Sequence, residues 1–201
     1  MPRQINYEQI NAKLLRSKRV QEAMRGKMQE KFDDAKEELI RDFMEHDVSR
    51  EILDPSKGNI SGTLDGKDNK SLFGFIGFEA GSEPILEVAA KLENETQLSK
   101  EPPKVQGKKM IFKIRHPSLK ELYQATPMPW ESGRSWLYGI SHGISGFGNF
   151  LAGFFQNLAA SRSGQGIQVK ESIRSDSFKP RRDYIESMIA KFRAKFGSGT
   201  N

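Results

Sequence analysis

The sequence predicts an α+β fold in which a long N-terminal helix and a terminal helix pack against a small, mainly antiparallel sheet. Three observations predict it: an apolar stripe with helical spacing over residues 7–48, an alternating segment over residues 105–115, and a second helical stripe over residues 179–196. A chain of 201 residues allows one domain with an extended arm. The predicted organisation is an arm over residues 1–54, a globular domain over 55–196 and a flexible tail over 197–201.

The first helix carries a narrow apolar stripe surrounded by charged residues. The stripe consists of Met24, Met28, Phe32, Ala35, Leu39 and Phe43. Such a helix does not fold alone, so the stripe must lie on the domain or on a neighbouring subunit. A helix of about forty residues is about 60 Å long, whereas a globule of the remaining residues is about 35–40 Å across. We therefore predict that Met24, Met28 and Phe32 are covered by more than the chain's own domain.

The charges of this helix are separated along its length. Residues 3–31 carry eight Lys or Arg against three Glu, and residues 32–54 carry nine acids against three cations. This order is the reverse of the one that the helix dipole favours. Asp34, Glu38 and Asp42 add like-charge repulsion at i, i+4. One interpretation is a solvated face. The other is docking of identical subunits, with the basic end of one on the acidic patch of the next.

Turn-forming residues dominate the segment after the first helix. Residues 55–70 contain several Gly, Asp and Asn residues, and a short strand is predicted within them over residues 60–64. Residues 72–78 are predicted as a further strand, interrupted by two glycines.

The middle of the chain alternates between helical and extended patterns. Ser82, Glu83 and Pro84 are typical of a helix start, and the helix has an apolar side formed by Ile85, Leu86, Ala89 and Leu92. Residues 105–115 alternate between an apolar and a mixed face, which predicts a strand. A short helix is predicted from Pro117 through Leu119, Leu122 and Tyr123.

Residues 130–160 are rich in aromatic side chains and glycine. Three interpretations remain open: ordinary core, a subunit interface, or a membrane-active loop. The stretch is too short to span a membrane. The candidate subunit-interface residues of the whole chain are Met24, Met28, Phe32, Asp34, Glu38, Trp136, Tyr138, Phe147 and Phe150.

The last quarter of the chain predicts a turn, a strand and a helix. The turn covers residues 161–166, the strand residues 167–173 and the helix residues 179–196. The apolar stripe of this helix is formed by Ile185, Met188, Ile189, Phe192 and Phe196. Three cations near its C-terminal end suit the helix dipole.

No catalytic or metal-binding pattern is present in the sequence. The chain has no cysteine, and its three histidines lie in no metal-ligand spacing. The glycine-rich run at residues 139–148 lacks the lysine of a phosphate-binding loop, and no nucleophile-elbow pattern occurs. We predict a protein without enzymatic activity, cofactor or metal.

The net charge of +6 permits a polyanionic partner without requiring one. The alternative function is a small basic nucleic-acid-binding protein, based on the cations Arg162, Lys170, Arg174, Lys179, Arg181 and Arg182. Acidic residues interrupt this region at Glu171, Asp176 and Asp183. With no secretory signal and no spanning apolar run, we expect synthesis in the cytoplasm and no membrane partner.

The order of elements and several short strings resemble the small neck and tail-completion proteins of tailed bacteriophages. The strings are Ser-Trp-Leu-Tyr-Gly-Ile at 135–140, Gly-Ile-Ser-Gly at 143–146, Ser-Arg-Ser-Gly-Gln-Gly-Ile-Gln-Val at 161–169 and Phe-Lys-Pro at 178–180. The resemblance covers the last third best. It implies a virion protein made in the host cytoplasm that forms a homo-oligomeric ring around the DNA channel. The implied partners are other connector, neck or tail proteins and, non-specifically, packaged DNA. The family supplies no catalytic residues.

Overall fold

The secondary structure combines helices with short antiparallel strand pairs. The computed structural model describes residues 13–64, 71–129, 131–143, 181 and 183–197. The described strands form three separate antiparallel pairs, and most of the buried apolar residues lie on helices. The predicted α+β class is confirmed. The turn and strand predicted over residues 161–166 and 167–173 lie outside the described residues.

The N-terminal helical region is interrupted twice. Helix α1 spans Lys18–Glu45, with Ser17 as its N-cap, and residues 13–16 form a separate helical segment before it. His46 has extended backbone, and its Nδ1 accepts the Val48 N–H at 3.2 Å to cap helix α2. Burial holds the pKa of His46 below its ordinary value, which favours the neutral, accepting ring. The prediction of one helix over residues 7–48 is therefore wrong, because these two side chains satisfy N–H groups that begin new helices.

Two strands predicted between residues 55 and 78 are absent. Helix α2 (Asp47–Leu53) leads into a 3-10 turn, Pro55–Lys57, and residues 60–64 are mainly turn. Residues 72–78, predicted as a strand, contain helix α3 (Leu72–Ile76). The buried side chains of α3 recur with helical rather than alternating spacing, at Leu72, Phe75 and Ile76. Gly77, at φ +82°, ends this helix in the left-handed conformation that glycine tolerates.

The helix predicted from Pro84 is confirmed. Helix α4 spans Pro84–Glu95 and begins with its proline in the first turn. Its buried face contains Ile85, Val88 and Leu92. Leu86, predicted on the apolar side, is 40% exposed.

The segment predicted as one strand over residues 105–115 is a hairpin followed by a second pairing. Strands β2 (Lys104–Gln106) and β3 (Lys109–Ile111) pair antiparallel around a turn at Gly107, whose φ is +60°. Strand β4 (Ile114–Arg115) then pairs antiparallel with β1 (Gln97–Leu98). The alternation itself is confirmed, since Met110, Phe112 and Ile114 are half-buried whereas Ile111, Lys113 and Arg115 are exposed. The single strand is wrong because the chain reverses at a glycine that periodicity does not detect.

The short helix predicted after Pro117 is confirmed. Helix α5 spans Leu119–Gln124 and begins with a capping box between Ser118 and Glu121. The next two strands, β5 (Pro127–Met128) and β6 (Glu131–Ser135), pair antiparallel with each other. Helix α6, Trp136–His142, follows directly from β6.

The terminal helix is confirmed within its predicted range. Helix α7 spans Ile185–Ala194 and buries Ile185, Met188, Ile189 and Phe192. It packs along the second half of α1. The fully buried Tyr184 stacks on Phe43 at 5.7 Å between ring centroids, and its hydroxyl lies 2.7 Å from Ser49 Oγ. From Phe32 onward, α1 is therefore part of the same core as the globular residues.

Candidate interaction surfaces

The apolar stripe of α1 divides into a covered part and an exposed part. Phe32 is 3% exposed, and its ring lies 6.3 Å from both Phe192 and Phe196. Met28 is half-buried against the core, whereas Met24 is 41% exposed. The chain's own terminal helix covers Phe32, so Phe32 is not available to a neighbouring subunit in this conformation. Met24 is available.

The acidic face of α1 is also contacted within the chain. Lys191 Nζ lies 2.9 Å from Glu38 and 2.7 Å from Asp42, and Lys195 Nζ donates to Glu38. Hydrogen bonds from Lys195 and then Lys191 lower the pKa of Glu38 to about 2. The predicted repulsion between stacked acids is therefore offset by α7, and Glu38 is not free for a neighbour. Asp34, one turn earlier, is exposed.

Replacing Glu38 with glutamine is expected to make unfolding less sensitive to acid. The folded-state pKa of Glu38 lies below its ordinary value, so its contribution to stability is complete above about pH 4.5. That contribution is lost as the pH falls toward the folded-state pKa of about 2. Denaturant titrations from neutral pH downward should show a shallower loss of unfolding free energy for Glu38→Gln than for the parent.

The control for this measurement is Glu37→Gln. Glu37 is exposed and pairs only loosely with Arg41, at 4.0 Å. The Glu37 variant should keep the parent's acid dependence. If the unfolding free energy of the Glu38 variant falls with pH as steeply as that of the parent, the lysine contacts do not stabilise the fold.

The aromatic residues of α6, like the apolar stripe of α1, include both a buried and an exposed side chain. Trp136 is 2% exposed and meets the Phe78 ring edge-on at 5.6 Å, so it belongs to the core. Tyr138 is 45% exposed, stacks on His142 at 4.0 Å and meets Tyr123 edge-on at 5.2 Å. The two other candidate interface residues of this stretch lie outside the described residues: Phe147 and Phe150.

A carboxylate joins α6 to the terminal helix beside this aromatic group. Glu186 accepts hydrogen bonds from the Tyr123 hydroxyl and, at 2.6 Å, from Ser141 Oγ. Burial, followed by the bond to Glu186, raises the pKa of the Tyr123 hydroxyl. Ser141 is only 2% exposed, so its hydroxyl is not accessible to another molecule in this conformation.

An open cleft of about 800 Å³ lies next to this cluster, with Lys120, Tyr123, Arg134 and Tyr138 in its lining. Of these lining residues, Tyr123 is the one whose hydroxyl donates to Glu186. Its polar groups include cations and hydroxyls around an aromatic surface, which suits contact with another molecule. The absence of enzymatic activity stays a prediction.

Within the described ranges, no group of three or more His, Asp or Glu residues has the arrangement of a metal site. No helix in the described part of the chain is long and apolar enough to cross a membrane.

A surface that the sequence patterns did not single out is the segment 100–115, which we call the basic hairpin. It carries six Lys or Arg and one acid, and it contains both strands β2 and β3. Lys104 and Lys109 are exposed. The charge excess is visible in the sequence, but the prediction of a single strand left out the turn at Gly107 that makes the segment a hairpin.

No protein-family model, curated protein or solved structure matches this chain.

Proposed function

We propose that the chain is a non-enzymatic virion structural protein of a tailed phage, and that it forms a homo-oligomeric ring around the DNA channel at the head–tail junction. The observation that carries this proposal is the exposed first half of α1, together with the resemblance of the last third to neck and tail-completion proteins. The buried residues of α1 begin at Phe32. The preceding segment, residues 13–31, exposes Leu14 by 53% and Met24 by 41%. We call this segment the N-terminal arm.

The dimensions of the arm support a docking role. Residues 18–31 of α1 extend about 21 Å along the helix axis at about 1.5 Å per residue. Each large apolar side chain left in water forgoes about 1.5–3 kcal/mol that burial would provide. A second copy of the chain provides the matching surface if its exposed acids, Asp33, Asp34 and Glu37, face the cations of the arm. Such exposed charges set register more than affinity.

The aromatic surface around Tyr138 is the second contact region in this proposal. Its exposed ring stacks on His142 and borders the open cleft. Exposed tyrosine is enriched at protein interfaces, where it provides apolar area and a polar tip. In the proposed ring, this surface contacts either the next subunit or an adjoining connector, neck or tail protein.

The alternative function of a small nucleic-acid-binding protein was based on a basic C-terminal region. Most of that region lies outside the described residues. Arg181 is described, and its guanidinium donates to the Ser61 carbonyl. The structure therefore offers no support for nucleic-acid contact through Arg181.

Substitution of Leu14 and Met24 by glutamate is expected to abolish oligomers while leaving the subunit folded. The two positions lie before the first buried residue of α1, so the core is unchanged. Light scattering coupled to size exclusion, with negative-stain imaging, should show rings for the parent chain and monomers for the double variant.

The matched control is the double substitution of Leu53 and Leu86 by glutamate. Both are 40% exposed but lie on the globular part, on α2 and α4. This control should assemble like the parent. A parent chain that stays strictly monomeric, or an arm variant that still forms rings, would contradict the proposal.

A further inference from the structure

We infer that the basic hairpin is a binding site for double-stranded DNA, which it contacts through the phosphate backbone. This inference does not depend on the ring proposal, because a monomer with the same hairpin would bind in the same way. It rests on the charge of the hairpin, on the face that its lysines occupy and on the second basic segment beside it.

Two segments of the chain that the structure describes carry a large excess of positive charge. The basic hairpin (100–115) and the N-terminal arm (13–31) each carry a net charge of +5, although the whole chain is only +6. The remaining residues are therefore net −4. The single acid of the hairpin, Glu101, lies 4.0 Å from Lys113. The mild overall charge thus conceals the strongly basic character of these two segments.

The strand register places the hairpin lysines on one face. Residues paired across an antiparallel ladder lie on the same side of it. Lys104 pairs with Ile111 and Gln106 with Lys109, and all four are exposed. The intervening Val105–Met110 pair forms the other, half-buried face. The ladder therefore presents the Lys104 and Lys109 side chains outward together.

The fold brings the N-terminal arm against the base of the hairpin. The Arg25 guanidinium donates to the Ser99 carbonyl at 2.6 Å and to the Glu101 carbonyl at 3.0 Å. The Ser99 N–H in turn donates to the Lys113 carbonyl at 2.8 Å. Two segments of the same charge are thus held side by side. Their mutual repulsion is relieved when a polyanion binds between or along them.

Duplex DNA fits this surface better than a protein or a lipid bilayer does. A protein interface requires an apolar centre, and an interfacial membrane element requires an apolar face opposite its cations. The exposed face of the ladder has one apolar residue, Ile111. Lysines are flexible point charges suited to phosphates without sequence readout. A two-stranded ribbon also fits the major groove of B-form DNA, about 12 Å wide, but not the deep, narrow groove of duplex RNA.

Fluorescence anisotropy of a short labelled DNA duplex, titrated with the full chain across a salt series, tests the inference. The parent should bind at about 50 mM salt and lose most of its affinity by about 200 mM. The double variant Lys104→Gln, Lys109→Gln should bind about tenfold more weakly or worse at the lower salt. Its slope of log affinity against log salt should be shallower by about 2.

The matched control is the double variant Arg50→Gln, Lys57→Gln, which removes the same charge from exposed positions on other elements. It should retain the parent's affinity and slope, and thermal melts should show that both variants are folded. Equal weakening of the two variants would overturn the inference, as would a parent that does not bind DNA at low salt. Stronger binding to duplex RNA, to anionic phospholipid vesicles or to polyglutamate than to DNA would also overturn it.

Discussion

Replacing Glu51 with alanine is expected to lower the free energy of unfolding by roughly 3–5 kcal/mol, since each hydrogen bond to a buried charged group contributes about 1.5–3 kcal/mol. The Glu51 side chain is fully buried. One carboxylate oxygen accepts the Leu72 N–H at 2.7 Å and the other accepts the Ser61 N–H at 2.9 Å. The substitution leaves both buried donors unpaired, and urea denaturation followed by circular dichroism measures the loss.

Two further variants define the cause of this loss. Glu45→Ala removes an exposed carboxylate at the end of α1 and should change stability by no more than about 0.5 kcal/mol. Glu51→Gln keeps the shape but offers one acceptor oxygen to two donors, so it should also destabilise the fold. A loss below about 1 kcal/mol in Glu51→Ala would show that solvent or a rearranged side chain satisfies the two N–H groups.

The role of Glu51 also explains why helix α3 was missed from the sequence. Leu72 follows Glu51 by 21 residues, and the bond between them caps the first turn of α3. Five apolar or glycine residues in a short run fit a strand and a helix equally well, so local pattern does not decide between them. The deciding contact is made by a side chain from another helix.

Longer periodic segments were predicted well because the regular spacing of their apolar residues defines a single face that must be buried. Helices α4 and α7 were both expected. In α7 the predicted stripe is buried apart from the half-buried Phe196, whereas in α4 Val88 takes the buried position and Leu86 is exposed. Element ends were predicted less well, because hydrophobic pattern does not report them. Ser17 and His46 begin helices by side-chain capping, and Gly107 reverses the chain through its backbone conformation. A stack of acids such as Asp34, Glu38 and Asp42 indicates that cations must offset their repulsion. It does not show where in the chain those cations lie.

The candidate interface residues show this limit most clearly. Glu38 was selected for its unfavourable charge, and the lysines that offset it lie more than 150 residues later in the sequence. Phe32 was selected for its place on an overhanging stripe, and it is covered by rings from the terminal helix. Met24 and Tyr138 remain exposed. The sequence therefore identified residues that need a contact partner. It did not show whether that partner lies in the same chain or in another one.

Phe32→Ala is expected to lower the free energy of unfolding by roughly 3–5 kcal/mol, as is usual for truncation of a buried phenylalanine. Phe32 is 3% exposed and joins α1 to α7 through Phe192, whose ring it meets edge-on at an interplanar angle of 77°. If Phe32 instead stabilised a subunit interface, its loss would change assembly and leave the unfolding of the separated subunit unaltered. Denaturation at two protein concentrations distinguishes the cases, because only interface stabilisation depends on concentration.

Met24→Ala provides the control on the same helix. Met24 is 41% exposed, so its truncation should change the stability of the single subunit by about 0.5 kcal/mol or less. The Phe32–Phe192 contact itself is measured by a double-mutant cycle, which should give a coupling energy of about 0.5–1.5 kcal/mol. A cycle without coupling, or a Phe32→Ala loss that appears only at high protein concentration, would mean that α7 does not rest on α1 in solution. The stripe would then be free to dock on a second copy along its whole length.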